Sequence, residues 1–353
     1  MNLRVVAAVG VLCAASGCQR DDAPVYSYSA RTQALPVELR TALTAEMVEQ
    51  AGTFETPRLI GAKDVSQERL LHGQAVYQDQ CVQCHGVSGD GQGPAAAYLY
   101  PRPRDYRNGT FKFITTPYGA KPVRSDLLRT VRQGVRGTSM PSFALLPADD
   151  LEAVVDYVLA LTHRGELEEQ LLAMADSEEA IDKELVQDES LPAITNRWSE
   201  ADEAVVAPLT RQPKFTMEHV ARGKTAFLSK GCSKCHGEDG RGQTADNIGK
   251  DLWGFTTRAA DLTSGMLHGG QEPVDVYRRI YSGINGTPMP GFGLSLQGEP
   301  DTIWDLVAYV KFVSSRRREG QTPEPGPIRP YVPAEPPAVQ AASVTAAAES
   351  PGG

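Results

Sequence analysis

Aromatic side chains make up only 7% of this 353-residue sequence. No apolar run approaches the roughly 20 residues a helix needs to cross a bilayer. A polytopic membrane protein is thereby excluded, and any cores must be modest. Positive charge is also in short supply: 35 Lys and Arg against 44 Asp and Glu leave a net charge of −9, which argues against a nucleic-acid binder. Cysteine is scarce, and its six residues are not scattered as a disulfide framework would scatter them. They fall into three close pairs, Cys13/Cys18, Cys81/Cys84 and Cys232/Cys235, which points to local chemistry at each pair. A chain of this length is expected to form two compact domains plus connectors.

The acidity is unevenly placed. Residues 63–165 hold 12 basic against 10 acidic side chains and residues 213–318 hold 14 against 11, whereas 166–212 hold 13 acidic against 3 basic. The reading is of two weakly basic domains joined by an acidic linker. Leu167, Leu171, Leu172, Ile181, Leu185 and Val186 within 166–212 allow an acidic amphipathic helix. The expectation is nevertheless a solvated, flexible connector, with a flap over a basic domain face as the sharper alternative.

Residues 1–17 carry one early positive charge, a short apolar stretch and then small residues, the pattern of a secretory signal peptide. The ending Ala15-Ser16-Gly17-Cys18 resembles a bacterial lipobox, with Ala15 in place of the usual Leu. It implies Cys18 as a lipidated mature N-terminus on the periplasmic side of a bacterial membrane. Residues 18–62 read as a disordered spacer, with one short helix near Glu38–Gln50 where Leu39, Leu43, Met47 and Val48 recur at helical spacing. Residues 319–353, rich in Pro and Ala, read as a disordered tail.

An internal repeat at a shift near 150 residues carries the chemistry. Cys81-Val82-Gln83-Cys84-His85-Gly86 matches Cys232-Ser233-Lys234-Cys235-His236-Gly237. Arg102-Pro103-Arg104-Asp105 matches Arg258-Ala259-Ala260-Asp261, and Gly109 matches Gly265. Gly137-Thr138-Ser139-Met140-Pro141-Ser142-Phe143 then matches Gly286-Thr287-Pro288-Met289-Pro290-Gly291-Phe292.

C-x-x-C-H is the attachment signature of c-type haem. Two thiols on one helical turn can add to the two vinyl groups of a porphyrin edge, and the adjoining histidine places its imidazole under the iron. One zinc site shared by both Cys pairs fits poorly with their separation and their adjoining histidines, and a thioredoxin-like pair would need a βαβ setting that the pattern lacks. Met140 and Met289 follow His85 and His236 at matched intervals, on Pro- and Gly-flanked loops. A soft thioether there suits the sixth iron position. Met266 and His268 have no counterpart in the first copy and read as loop residues; His72, His163 and His219 read as surface or packing histidines.

With these residues the chain resembles the class I cytochrome c family, as a di-haem protein built from two fused mono-haem domains. The resemblance implies an all-α fold and two covalently bound haem c groups. Cys81, Cys84, Cys232 and Cys235 would be the attachment residues, with His85/Met140 and His236/Met289 as axial pairs. It implies that Gly73 and Gly223, each four residues before an aromatic, lie where the N- and C-terminal helices of a domain touch. It also implies that the Pro94 carbonyl accepts the N–H of the first proximal imidazole, a bond for which the second copy has no matching proline. Arg102 and Arg258 are candidate partners of haem propionates, which a guanidinium grips with two hydrogen bonds. Iron with both axial positions filled has no open site for substrate, so the expected role is relay of single electrons between redox proteins at a bacterial membrane. The protein would be a carrier or a subunit of a respiratory complex and not itself an enzyme. The competing reading is a catalytic di-haem enzyme, peroxidase-like or thiosulfate-oxidising.

Overall fold

Ser66 accepts the Arg69 amide at 3.2 Å and so starts the first helix of the first repeat unit. The structure, a computed structural model, describes residues 24–316. Their helices are α1 (Ala30–Ala34), α2 (Val37–Ala51), α3 (Gln67–Gln80), α4 (Val82–His85), α5 (Arg124–Gln133), α6 (Ala148–Glu178), α7 (Lys183–Leu185), α8 (Leu191–Glu203), α9 (Met217–Ser229), α10 (Cys232–His236), α11 (Pro273–Ser282) and α12 (Thr302–Arg316). One antiparallel hairpin, β1 (Ile248–Lys250) with β2 (Thr256–Arg258), completes the set. The all-α expectation holds, with this small hairpin as an addition. The signal segment, Cys18 and the 319–353 tail lie outside the described residues.

Each unit is built on one crossing of its terminal helices, α3 on α6 and α9 on α12. A Cβ at Gly73 would fall on the carbonyl oxygen of Ala153, and one at Gly223 on that of Asp305. Both glycines also face a tyrosine Cβ, of Tyr157 and Tyr309 respectively. Tyr157 packs edge-on against Tyr77 at 5.4 Å between centroids, and Tyr309 packs tilted against Phe227 at 5.1 Å. The resemblance's glycine–aromatic contact is therefore present twice, because only a residue without Cβ lets the backbones approach this closely. Gly73→Ala and Gly223→Ala are each expected to destabilise their unit by about 1–3 kcal/mol through overpacking. Denaturant midpoints read the loss, and unchanged midpoints would place the helices farther apart.

The flexible connector and disordered spacer are corrected by the structure where it describes them. α6 does not stop at the end of the first unit but continues to Glu178, 31 residues in all. Leu43 and Met47 of α2 pack with Leu167, Leu171 and Leu172 of that extension, and with Val186 and Ile194 of the turn and helix that follow. All seven are essentially without solvent exposure. The spacer and the acidic segment thus fold on each other, and the helix expected near Glu38–Gln50 is one half of the contact. The acids are spent locally. Glu168 accepts from the Ser29 amide at 2.7 Å and from Thr32 Oγ1 at 2.6 Å, while Glu166 accepts from Trp198 Nε1 at 2.6 Å and pairs with Lys121. Arg31 pairs with Glu169 and Asp176. Through Glu166 with Lys121, and through Trp198 with its ring centroid 6.4 Å from that of Phe111, the acidic segment also packs on the first unit.

Candidate functional site

The two C-x-x-C-H sequences adopt the same turn. In the first unit Cys81 ends α3, its amide donating to the Tyr77 carbonyl at 2.9 Å, and α4 then carries Cys84 and His85. In the second, α10 carries Cys232, Cys235 and His236. Gly86 and Gly237 close these turns at φ 74° and 73°, a region open to glycine. The loops beyond fold back identically, the amides of Gly91 and Gly242 donating to the carbonyls of His85 and His236 at 3.0 and 2.7 Å.

Each imidazole is held by a backbone carbonyl. His85 Nδ1 lies 3.3 Å from the Arg104 oxygen, and His236 Nδ1 lies 3.1 Å from the Ala260 oxygen. The expected acceptor in the first unit, the Pro94 carbonyl, is thereby corrected: Pro94 is exposed on the loop. The reason is that the segment after the loop threads directly past the ring. The Tyr106 amide donates to the Gly89 carbonyl at 3.2 Å, and the Leu262 amide to that of Gly240 at 2.8 Å. Arg104 and Ala260 are repeat equivalents, so both units orient the proximal ring alike and leave Nε2 free to bind iron. Burial lowers the pKa of both imidazoles, which favours the neutral form that has a lone pair to give.

The methionine loops are also built twice on one plan. α5 and α11 end at Gly134 and Gly283, at φ 65° and 72°. The Val135 amide then donates to the Met140 carbonyl at 3.1 Å, and the Ile284 amide to that of Met289 at 3.2 Å. Thr138 Oγ1 donates to the Val135 carbonyl and Thr287 Oγ1 to that of Ile284, both at 2.8 Å. These bonds fix the backbone of each loop at its methionine.

In the first unit Cys81, Cys84, His85 and Met140 line one cavity, with Tyr77, Tyr106, Phe111, Leu127, Val131 and Val158 among its apolar walls. It holds about 1400 Å³ of empty space, its mouth included. Arg102, Arg104 and Lys112 are also wall residues. In the second unit Cys232 and Phe292, which follows Met289 by three positions, pack on one core cluster with Phe227 and Leu267. An apolar slot with two thiols and an imidazole at one side and a thioether in its wall suits a flat macrocycle with a central metal. The thiols fit covalent thioethers better than thiolate ligands. Burial, aided by Cys84, pushes the Cys81 thiol up to about 12, and burial also raises Cys232. Among the described residues no three His, Cys, Asp or Glu side chains converge as a zinc site would require.

The remaining candidates are placed as follows. Arg102 has its guanidinium 5.6 Å from the Phe255 ring centroid, and Arg258 is on β2 opposite Ile248. His163 is a packing histidine bonded to the Ile60 carbonyl, His72 pairs with Asp150 at the surface, and His219 caps α9 through Thr216. Met266 and His268 are loop residues, as expected. Sequence reasoning missed that His268 lines the cavity of the other unit, and that Arg104 and Lys112 line it as well. Burial and the neighbouring Arg104 hold Lys112 down to about 8. The missed signal was the hairpin: His85 to Arg102 is 17 positions but His236 to Arg258 is 22, and β1–β2 occupies the difference.

Residues 68–158 match the family model for cytochrome c oxidase, cbb3-type, subunit III, and residues 220–314 match that for cytochrome c. No curated protein matches the chain. A chain from the solved Kuenenia stuttgartiensis reducing HAO-like protein complex is 29% identical, with a TM-score of 0.53. The match covers 71% of this chain and 98% of that one, far more than a single unit. With two cytochrome c-type units in tandem, this chain is a di-haem member of the cytochrome c family and carries two covalently bound haem c groups.

Proposed function

We propose that the protein relays single electrons between redox proteins as an exported subunit of a redox complex, through two six-coordinate centres. His85 and Met140 would hold the iron of the first haem, and His236 and Met289 that of the second. Cys81, Cys84, Cys232 and Cys235 form the thioether links. Bound haem c supplies an iron that gains and loses one electron without making or breaking a bond to substrate. The chain's own residues set the rest. The Arg104 and Ala260 carbonyls fix the imidazoles, the threonine-pinned loops hold the thioethers, and apolar walls keep water away.

The observation that carries this reading is the second, identical construction of the methionine loop. A catalytic di-haem enzyme needs at least one centre whose distal position is vacant or displaceable. The purified chain is expected to turn over neither peroxide nor thiosulfate, and turnover of either would favour the enzyme. The complex role is supported by the similar chain that belongs to a reducing HAO-like protein complex. Membrane attachment in this reading comes from lipid on Cys18; among the described residues no helix is long and apolar enough to cross a membrane. Stoichiometric partners recovered with the native protein from membranes test both points; a lone, water-extracted chain would count against them. Arg102 and Arg258 each pair with a propionate in this account. Arg102→Ala and Arg258→Ala should each shift the midpoint potential of one centre, and an unmoved midpoint removes the pairing.

A further inference from the structure

The first cavity is not closed by its own unit. His268, from the loop that leads into α11, is one of its wall residues. That loop is pressed onto the first unit: a Cβ at Gly269 would lie 3.0 Å from Cδ1 of Phe113, a wall residue. A Cβ at Gly137, in the Met140 loop, would lie 3.3 Å from Met266 Sδ and 3.5 Å from His268 Nε2. The buried Arg279 of α11 straps the same wall by donating to the carbonyls of Lys112 and Ile114.

A second grip acts on the proximal side. The Arg104 guanidinium stacks 3.7 Å from the Trp253 ring centroid and pairs with Asp251 at 3.1 Å. Trp253 Nε1 donates to the Asp105 carbonyl at 2.8 Å. Both partners come from the turn of the hairpin that only the second unit has. Arg104 is also the residue whose carbonyl orients His85. The second unit therefore braces the segment that orients His85 and the loop that bears Met140. The reverse does not hold on the proximal side, where Ala260 stands in place of Arg104 and has only a methyl group, with no cation to stack or pair.

We propose that the first haem centre is a composite site: the second domain supplies His268 against the cofactor and braces the Arg104 segment that orients His85 and the Met140 loop, so that the first centre's potential is set across the domain interface. The inference rests on the haem reading of this cavity. Solvent access and the hydrogen bond to the proximal ligand are the levers by which a protein tunes haem iron. Truncating His268 admits water to the cavity wall, which favours the more highly charged oxidised state. Loss of the Arg104 guanidinium removes a nearby cation that favours the reduced one. Both changes push the first midpoint down.

The test is a spectroelectrochemical titration of the full-length protein and its variants. The two components are assigned with Met289→His, which moves the second alone. His268→Ala and Arg104→Ala should lower the first midpoint and leave the second in place. His268→Gln and Arg104→Lys, which preserve shape and charge, should restore most of the loss. The unmoved second component and a full haem content report that each variant is folded. First midpoints unchanged in both alanine variants, or two components that move together, would overturn the composite site. A wild-type protein that carries no haem at Cys81 and Cys84 would instead contradict the haem reading itself.

Discussion

Met140→His is expected to lower the midpoint potential of the centre attached at Cys81 and Cys84 by on the order of 0.1–0.3 V, within the roughly 0.8 V that axial ligands span. A thioether is a soft ligand that favours reduced iron, whereas a second imidazole favours the oxidised state. The Met140 loop is pinned by its own backbone bonds, so the exchange changes the ligand atom rather than the fold. Met289→His should do the same to the other centre, because the Ile284–Met289 loop repeats every bond of the Val135–Met140 loop. Potentiometric titration reads both. Two midpoints that ignore both exchanges would remove the methionines from the iron.

Leu171→Ala is expected to cost about 2–5 kcal/mol, the cost of a cavity in a closed core. Leu171 is fully buried on the continuation of α6, among Leu43 and Met47 of α2. Hydrogen exchange of the α2 and 166–178 amides measures this most directly, because local opening of this sub-core need not unfold either haem unit. A solvated connector would show fast exchange in the wild type and no change in the variant.

The haem-bearing parts of the fold were legible because each landmark is local in sequence. The C-x-x-C-H turn, the Gly-Thr-x-Met-Pro loop and Gly73 or Gly223 ahead of an aromatic each act within a few residues, and each occurs twice. What could not be read depended on distant partners. The leucines of 166–186 show helical spacing, but α2, which covers them, lies some 120 residues upstream, and the acidic charges around them suggested solvent. Their carboxylates are instead answered by Ser29, Thr32, Arg31, Lys121 and Trp198. The carbonyl that accepts from His85 was misplaced at Pro94 for a related reason. A backbone acceptor has no sequence identity, and only the threading of residues 103–106 past the ring brings Arg104 to it. His268 was invisible because its role lies in the other unit's cavity.

The central claim is that both irons are saturated by one imidazole and one thioether each. Electron paramagnetic resonance of the resting, oxidised full-length protein, read beside the methionine-to-iron charge-transfer band, tests it most directly. The account predicts two low-spin signals and two such bands per chain; a high-spin or bis-imidazole centre in either unit would contradict it.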